Sequence, residues 1–231
     1  MAIPPDYVFS FMHPWVNIHT HKIRNLGIEL LNANIGAPVN SGVTFSLGLH
    51  PWHIAETRLE EALKMLDKQA GNQAICAVGE IGIDRAIATS LEIQIRVFNA
   101  QHHIAEKHRL PVILHCVRAW SDLAALHKQM NPKVPWIFHG FNGSLQTAQQ
   151  LIKLGCYLSF GTALLQQAKV KEVFQKIPAE YLFLETDDSD EKIENIYQKA
   201  AELRHICIDE LKDIVYTNFV KVFGTRCTKT G

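Results

Sequence analysis

Six residues of the kinds that bind metal ions stand at or just after the ends of short apolar runs. Two histidines share the run VNIHTH, a glutamate ends AVGE, two more histidines end PVILH and PWIFH, and an aspartate follows LFLET. Imidazole and carboxylate groups suit Zn, Mn and related divalent ions. The set is typical of a metal-dependent hydrolase. In chain order the candidate ligands are His19, His21, Glu80, His115, His139 and Asp187.

The number of candidate ligands indicates more than one ion. A tetrahedral zinc ion that keeps one position open for water takes only three protein ligands. We therefore expect two divalent ions, Zn, Mn or Mg, with the Glu80 carboxylate as the bridge between them. His19 and His21 are separated by one residue, so both side chains point to the same face of an extended strand. Taken alone, the HxH pair is weak evidence, and His115 or His139 alone is better explained by a hydrogen bond to the backbone; the ordered set carries the prediction.

The elements that must position these residues are predicted to be parallel strands. The apolar runs are continuous rather than alternating, which is typical of strands covered on both faces. Active sites of (β/α)8 barrels are assembled from strand ends and the loops that follow them. We therefore predict an α/β fold, a TIM (β/α)8 barrel. Its strands are expected at residues 16–19, 27–33, 44–49, 75–80, 111–116, 135–140, 156–160 and 181–186.

Helical patterns fill most of the connections between the predicted strands. They cover residues 58–71, 89–108 and 144–155, and two closing helices are expected within residues 193–223. Residues 22–26 and 34–43 leave too little room for full helices. The barrel is thus predicted to be trimmed of helices between its first and third strands. We expect residues 1–231 to form a single hydrolase domain, with residues 226–231 as a polar tail.

Composition favours a globular enzyme over a protein that grips a long nucleic acid. The chain has 231 residues, 47% of them hydrophobic, and equal numbers of basic and acidic residues, 23 of each. A protein that follows a long phosphate backbone usually has a basic excess. This composition is still compatible with a metal centre that binds a few phosphates.

Cysteine usage and the absence of targeting signals predict a cytoplasmic protein. The five cysteines include no CxxC pair and are interpreted as reduced. The start, MAIPPDYVFSFMHPW, lacks the basic region of a secretory signal. No apolar run approaches the roughly 20 residues that a membrane helix needs. We expect neither membrane attachment nor an obligate protein partner.

Several segments, taken in order, resemble the motifs of a known family. NIHTH, GLHPW, GEIGID, PVILHC, FHGFNG and LETD are similar to the successive motifs of the TatD family of metal-dependent deoxyribonucleases, a branch of the amidohydrolase superfamily. The resemblance implies a (β/α)8 barrel, the six ligands above and hydrolysis of phosphodiester bonds. The chain departs from the family pattern at Asn17, where the family has an aspartate, in the short segment before GLHPW, and at Asp188–Asp190.

The expected nucleophile is a hydroxide activated by metal. A divalent ion lowers the pKa of bound water from about 15.7 toward about 7, so hydroxide is available at neutral pH. Asp187 is expected to orient this water and accept its proton, and Glu80 to hold the ions in place. These two carboxylates are the predicted catalytic residues.

His50 and Arg118 are the predicted substrate-binding residues. His50 ends the third predicted strand and is expected to hydrogen-bond a phosphate; the alternative is a structural histidine. Arg118 follows His115 closely and has the forked geometry that suits phosphate oxygens, or else it pairs with Asp122. Trp52 and Phe141 are open to two interpretations, as surfaces for stacking on a base or as loop packing.

Three functions remain to be distinguished. The leading one is a TatD-type deoxyribonuclease that acts on DNA or a small phosphodiester. A second keeps the metal centre and acts on amide or lactone carbonyls. The third is a non-catalytic metal-binding barrel. The sequence contains no GxSxG elbow and no Walker A loop, which removes the usual support for a serine hydrolase or an NTPase.

Overall fold

Eight parallel strands, in sequential order, form the centre of the molecule. The computed structural model describes residues 13–40, 42–56 and 58–228, and confirms the predicted (β/α)8 barrel. Each strand pairs in parallel with the next along the chain. The strands are β1 (Trp15–Thr20), β2 (Gly27–Asn34), β3 (Thr44–Gly48), β4 (Ile75–Asp84), β5 (Val112–Val117), β6 (Trp136–Phe138), β7 (Tyr157–Phe160) and β8 (Leu182–Leu184).

Helices surround the barrel on all sides but one. From β3 onward every connection is helical, whereas the described residues that join β1 to β2 and β2 to β3 contain no helix. The predicted trimming is therefore confirmed. The α-helices are α1 (Leu59–Ala70), α2 (Leu91–His108), α3 (Trp120–Met130), α4 (Leu145–Lys153), α5 (Ala163–Gln166), α6 (Ala168–Lys176), α7 (Ile193–Arg204) and α8 (Ile208–Phe223).

The barrel closes through a seam between β8 and β1. Two main-chain hydrogen bonds cross it just beyond the strand ends, from the His21 amide to the Asp187 carbonyl at 3.1 Å and from the Asp187 amide to the His19 carbonyl at 3.0 Å. The buried Asn17 side chain donates to the Thr186 hydroxyl at 2.8 Å and accepts from the Thr186 amide at 3.0 Å. The Asn17 side-chain amide thus serves as both donor and acceptor across the seam.

The predicted tail is partly wrong. Residues Thr225–Thr228 form a 3-10 helix that packs against the amino-terminal end of β4, where Cys227 is buried and bonded to Cys76. The Arg226 guanidinium also donates to the Ile75 carbonyl. The expectation that all five cysteines are reduced is wrong for this pair, because 151 residues separate the two and no local spacing signals the bond.

Some expectations lie outside the described residues. They concern residues 1–12, on which the absence of a secretory signal partly depends, and residues 229–231 of the predicted tail. Within the described part of the chain, no helix is both long enough and apolar enough to cross a membrane.

Candidate metal centre

All six predicted ligands lie at the carboxyl-terminal end of the barrel. His19 sits in β1 and His21 just after it, Glu80 is within β4 and His115 within β5. β6 and β8 are shorter than predicted, so His139 and Asp187 belong to the loops that follow them. Parallel strands deliver these side chains to one rim because their carboxyl ends meet there.

Glu80 is the centre of the cluster, and its two oxygens face different histidines. Oε1 lies 2.6 Å from His115 Nδ1 and 2.6 Å from His139 Nε2. Oε2 faces His19 Nε2 at 3.4 Å. Burial favours the neutral acid, yet these imidazoles hold the pKa of Glu80 well below its usual range. Glu80 is therefore ionised, with one oxygen toward His19 and the other toward His115 and His139.

Asp187 completes the β1 side of the cluster. Its Oδ1 lies 3.3 Å from His19 Nε2 and 3.5 Å from His21 Nε2. The residue has a left-handed backbone, with φ of 54°, which a non-glycine residue adopts rarely. Burial opposes the charge of this carboxylate, but the two histidines lower its pKa far below the usual range. The ionised Asp187 carboxylate thus forms an anionic edge of the pocket, next to the imidazoles of His19 and His21.

His19 is held protonated when only protein groups surround it. Burial and the neighbouring His139 lower its pKa, but the Asp187 and Glu80 carboxylates outweigh them and raise it to about 9. Both ring nitrogens of His19 are buried without a partner in hydrogen-bond geometry. A cation placed among these carboxylates would take over the role of that proton.

Sets of ligand atoms in the cluster are close enough to share an ion. Three groups of three have all their ligand atoms within 4.8 Å of one another: His19 with His139 and Asp187, His19 with His21 and Glu80, and His50 with Glu80 and His115. Nitrogen and carboxylate donors of this kind fit a borderline divalent metal. The orphaned nitrogens of His19 support the same conclusion.

His50 lies inside the cluster, as a hydrogen-bond donor. The Trp52 amide donates to its Nδ1 at 3.2 Å, which places the proton of the neutral ring on Nε2, 3.4 Å from Glu80 Oε1. Burial lowers the pKa of His50 and favours this neutral form. Its Nε2–H group is thus available to a carboxylate or to an oxygen of a bound ligand.

Arg118 is not brought to the cluster. The chain turns at this exposed residue, where φ is 53°, and the side chain lines a separate surface depression with Trp120 and Lys169. The alternative pairing with Asp122 is also not observed, because Asp122 accepts two hydrogen bonds of 2.7 Å from Arg85. The sequence spacing from His115 could not reveal this turn.

Two buried carboxylates orient the candidate ligands, and the sequence interpretation missed one of them. Glu185 lies 3.3 Å from His139 Nδ1 and accepts from the Gly140 amide at 2.7 Å. Asp84 lies 3.3 Å from His115 Nε2 and accepts from the Ala86 amide. Carboxylates behind metal-binding histidines fix the ring and strengthen the ligand. Glu185 is the one that was missed, because it stands in LETD without a spacing that marks it as a partner of His139.

The cluster lines a cavity of about 260 Å³. A larger one, of about 500 Å³, adjoins it on the trimmed side of the barrel and shares Asn34, Gly48, His50 and His53 with it. The short β2–β3 connection and α1 form the outer wall of this second cavity. Loss of the early helices thus leaves an open approach to the cluster.

Similarity to known proteins agrees with this geometry. Residues 30–224 match the family described as TatD related DNase. The "uncharacterized metal-dependent hydrolase YjjV" of Escherichia coli is 29% identical over 198 residues, which cover 78% of this chain and 76% of that protein. A "3'-5' ssDNA/RNA exonuclease TatD" of Cronobacter sakazakii is 33% identical over 152 residues, covering 63% of this chain and 57% of the relative.

Solved structures share the barrel. The crystal structure of YjjV, described as a TatD homolog from Escherichia coli, superposes with a TM-score of 0.76 at 26% identity and 87% coverage of both chains. A TatD family hydrolase from Entamoeba histolytica gives 0.74 at 22% identity, which speaks for the fold alone. Since the family match spans most of the sequence and the barrel carries a histidine and carboxylate cluster at its rim, this chain belongs to the TatD related DNase family of metal-dependent hydrolases.

Proposed function

We propose that this protein hydrolyses phosphodiester bonds at the ends of single-stranded DNA or RNA with a centre of two divalent metal ions. The observation that carries the proposal is the orientation of the Glu80 carboxylate. Its Oε2 faces His19, while its Oε1 faces His115 and His139. A carboxylate with one oxygen toward each of two histidine sets is suited to bridge two cations. The relatives named as exonucleases support the substrate class.

The proposed roles follow from position. His19, His21 and Asp187 would hold one ion, His115 and His139 the other, and Glu80 would bridge them. Zn, Mn or Mg bound there supplies positive charge to phosphoryl oxygens and lowers the pKa of water. Asp187 borders the cavity and would orient a water molecule and accept its proton. The Nε2–H group of His50 would donate to a phosphate oxygen.

The charge of the protein fits short contacts with substrate. Equal numbers of basic and acidic residues give the protein no net positive charge that would attract a long phosphate backbone. We expect the end of a nucleic-acid strand to enter the cavity. Contacts with one or two phosphates would then supply most of the binding free energy.

Substitution of the proposed ligand His115 and base Asp187 tests the function. Purified protein loaded with Mg, Mn or Zn is assayed against labelled single-stranded DNA, RNA, a generic phosphodiester and a lactone panel. We expect His115→Ala and Asp187→Ala to fold, by circular dichroism, and to lose about 100-fold or more in hydrolysis. His103→Ala, an exposed histidine of α2, is the matched control and keeps full activity.

Other outcomes would select a different function. Activity on lactones alone would point to an amidohydrolase-type enzyme for carbonyl substrates. Less than one ion per chain, with no activity restored by added metal, would point to a non-catalytic barrel. Wild-type hydrolysis rates in both variants would refute the assignment of the site.

A further inference from the structure

Trp52 is the most exposed of the large apolar side chains in the described chain. It leaves 60% of its surface open to solvent, against 37% for Leu26, 47% for Met65 and 38% for Ile93. An indole left in water forgoes the favourable burial that most tryptophans achieve. Its position therefore calls for a reason beyond packing.

The Trp52 ring is held in place although it is exposed. Its indole N–H donates to Asp84 Oδ2 at 2.7 Å, and Asp84 is itself buried and bound to the Ala86 amide. The ring meets His50 edge to face, with centroids 4.8 Å apart, and lies 6.0 Å from His115. A side chain fixed in this way loses little conformational entropy when a ligand contacts it.

The location of Trp52 joins this fixed ring to the metal centre. It lines the 260 Å³ cavity together with Glu80, His115, His139 and Asp187. Its neighbours there are mostly imidazoles and carboxylates, so the exposed ring is not part of a contiguous apolar patch that would receive a protein partner. A flat apolar ligand attached to an anionic group fits both parts of the cavity.

We infer that Trp52 is a stacking surface for the nucleobase next to the scissile phosphate. The inference rests on the proposed function and adds a determinant of substrate preference to it. Stacking of a base on an aromatic side chain tolerates every base, because each has a π-face. The enzyme should therefore require a base at that position without reading which base it is.

The kinetic test compares two oligonucleotides, one with a normal terminal nucleotide and one with an abasic terminal nucleotide. For the normal oligonucleotide, Trp52→Leu should raise KM between about 5-fold and 100-fold, the range typical of base–aromatic stacking. For the abasic oligonucleotide, KM should change less than about twofold. Ile93→Ala removes an exposed apolar side chain on the outer helix α2 and should leave both KM values unchanged. An equal KM increase on both oligonucleotides would overturn the inference.

Trp52→Phe separates stacking from anchoring. Phenylalanine keeps an aromatic face and loses only the hydrogen bond to Asp84. If Trp52 stacks, this variant retains most of the preference for the normal oligonucleotide. If Trp52→Phe loses the preference as completely as Trp52→Leu, the residue acts by holding Asp84 and His115, and the stacking role is wrong.

A binding measurement keeps the inference testable if no nucleic acid is hydrolysed. The protein has four tryptophans, of which Trp52 is the exposed one. Titration of chelator-treated and metal-loaded protein with the normal oligonucleotide should quench tryptophan fluorescence, and Trp52→Leu should abolish the quenching. Hydrolysis without quenching would retain the proposed function and refute stacking. Quenching without hydrolysis would refute the proposed function and retain the stacking role of Trp52.

Discussion

At the scale of single residues, the cluster depends on charges placed behind the histidines. The buried Glu185 carboxylate contacts His139 Nδ1 and the Gly140 amide, so it fixes the ring whose Nε2 faces Glu80. We expect Glu185→Gln to fold and to bind metal roughly 10-fold to 100-fold more weakly, as substitutions behind metal ligands typically do. Chelator competition measures this change. Glu172→Gln, on the exposed face of α6, is the control, and equal affinities in both variants would contradict the orienting role.

Protonation of the cluster predicts how stability depends on pH when metal is removed. The carboxylates raise the pKa of His19 from 6.5 to about 9 in the folded protein, so its contribution to stability is complete below about pH 6.5 and is lost as the pH rises toward 9. Asp187 and Glu80 have lowered pKa values, so their contribution is lost as the pH falls below about 4. Thermal unfolding in chelator should show the highest Tm between these limits.

Metal should reverse the alkaline part of this profile. Metal binding needs deprotonated histidines and releases their protons, so it becomes tighter as the pH rises. We expect the Tm of the metal-loaded protein to hold or rise between pH 6.5 and 9, where that of the chelated protein falls. Parallel profiles with and without metal would show that these histidines do not bind the ion.

At the scale of elements, α2 sets the positions of two strand ends. Gln101 accepts from the Leu49 amide at 2.6 Å and donates to the Leu49 carbonyl at 3.1 Å, one residue before His50. Gln94, two turns earlier, forms the same pair of bonds with Asp84. Glutamine side chains on one face of this helix thus place both His50 and the partner of His115.

Gln101→Ala should therefore destabilise the fold and displace His50. It leaves a buried amide and a buried carbonyl without partners, which costs roughly 2–4 kcal/mol in free energy of unfolding. Urea denaturation measures this loss. Gln149→Ala, on the exposed face of α4, should change stability by less than about 0.5 kcal/mol. A similarly small effect for Gln101→Ala would mean that water or another group replaces the lost bonds.

The sequence revealed the strands better than the helices. Each ligand-bearing strand is a continuous apolar run, so its position and the end at which it delivers a ligand could be predicted. α3, α5 and α6 were not predicted; α5 has only four residues, whereas α6 does carry buried Val170, Val173 and Phe174 at helical spacing. The position of Arg118, in a depression apart from the cluster, could not be predicted, because the residue has a left-handed backbone conformation that arginine does not signal.

At the scale of the whole molecule, contacts between distant segments account for what the sequence did not reveal. The bond between Cys76 and Cys227 joins residues 151 positions apart, and nothing in either segment predicts the partner. It lies at the start of β4, at the amino-terminal end of the barrel and opposite the metal centre. In barrels of this type, that face contributes to stability and the other to catalysis.

Reduction of this disulfide should lower stability and leave hydrolysis intact. A bond that closes so long a loop typically contributes roughly 2–4 kcal/mol by restricting the unfolded chain. We expect dithiothreitol, or Cys227→Ser, to lower the Tm while the rate per folded molecule stays unchanged. Cys207→Ser, at an exposed free cysteine that caps α8, keeps an acceptor for the Glu210 amide and should not lower the Tm. A Tm of the wild type that does not respond to dithiothreitol would contradict the bond.

The seam between β8 and β1 links the closing of the barrel to the binding of metal. Asp187 bonds through its main chain to His19 and His21, and its side chain faces the rings of the same two residues. An ion held by these side chains would bind only the closed barrel, so its binding free energy would add to the free energy of closure. Metal concentration would then set how often the barrel opens at the seam between β8 and β1. In protein stripped of metal by a chelator, local unfolding would begin at this seam.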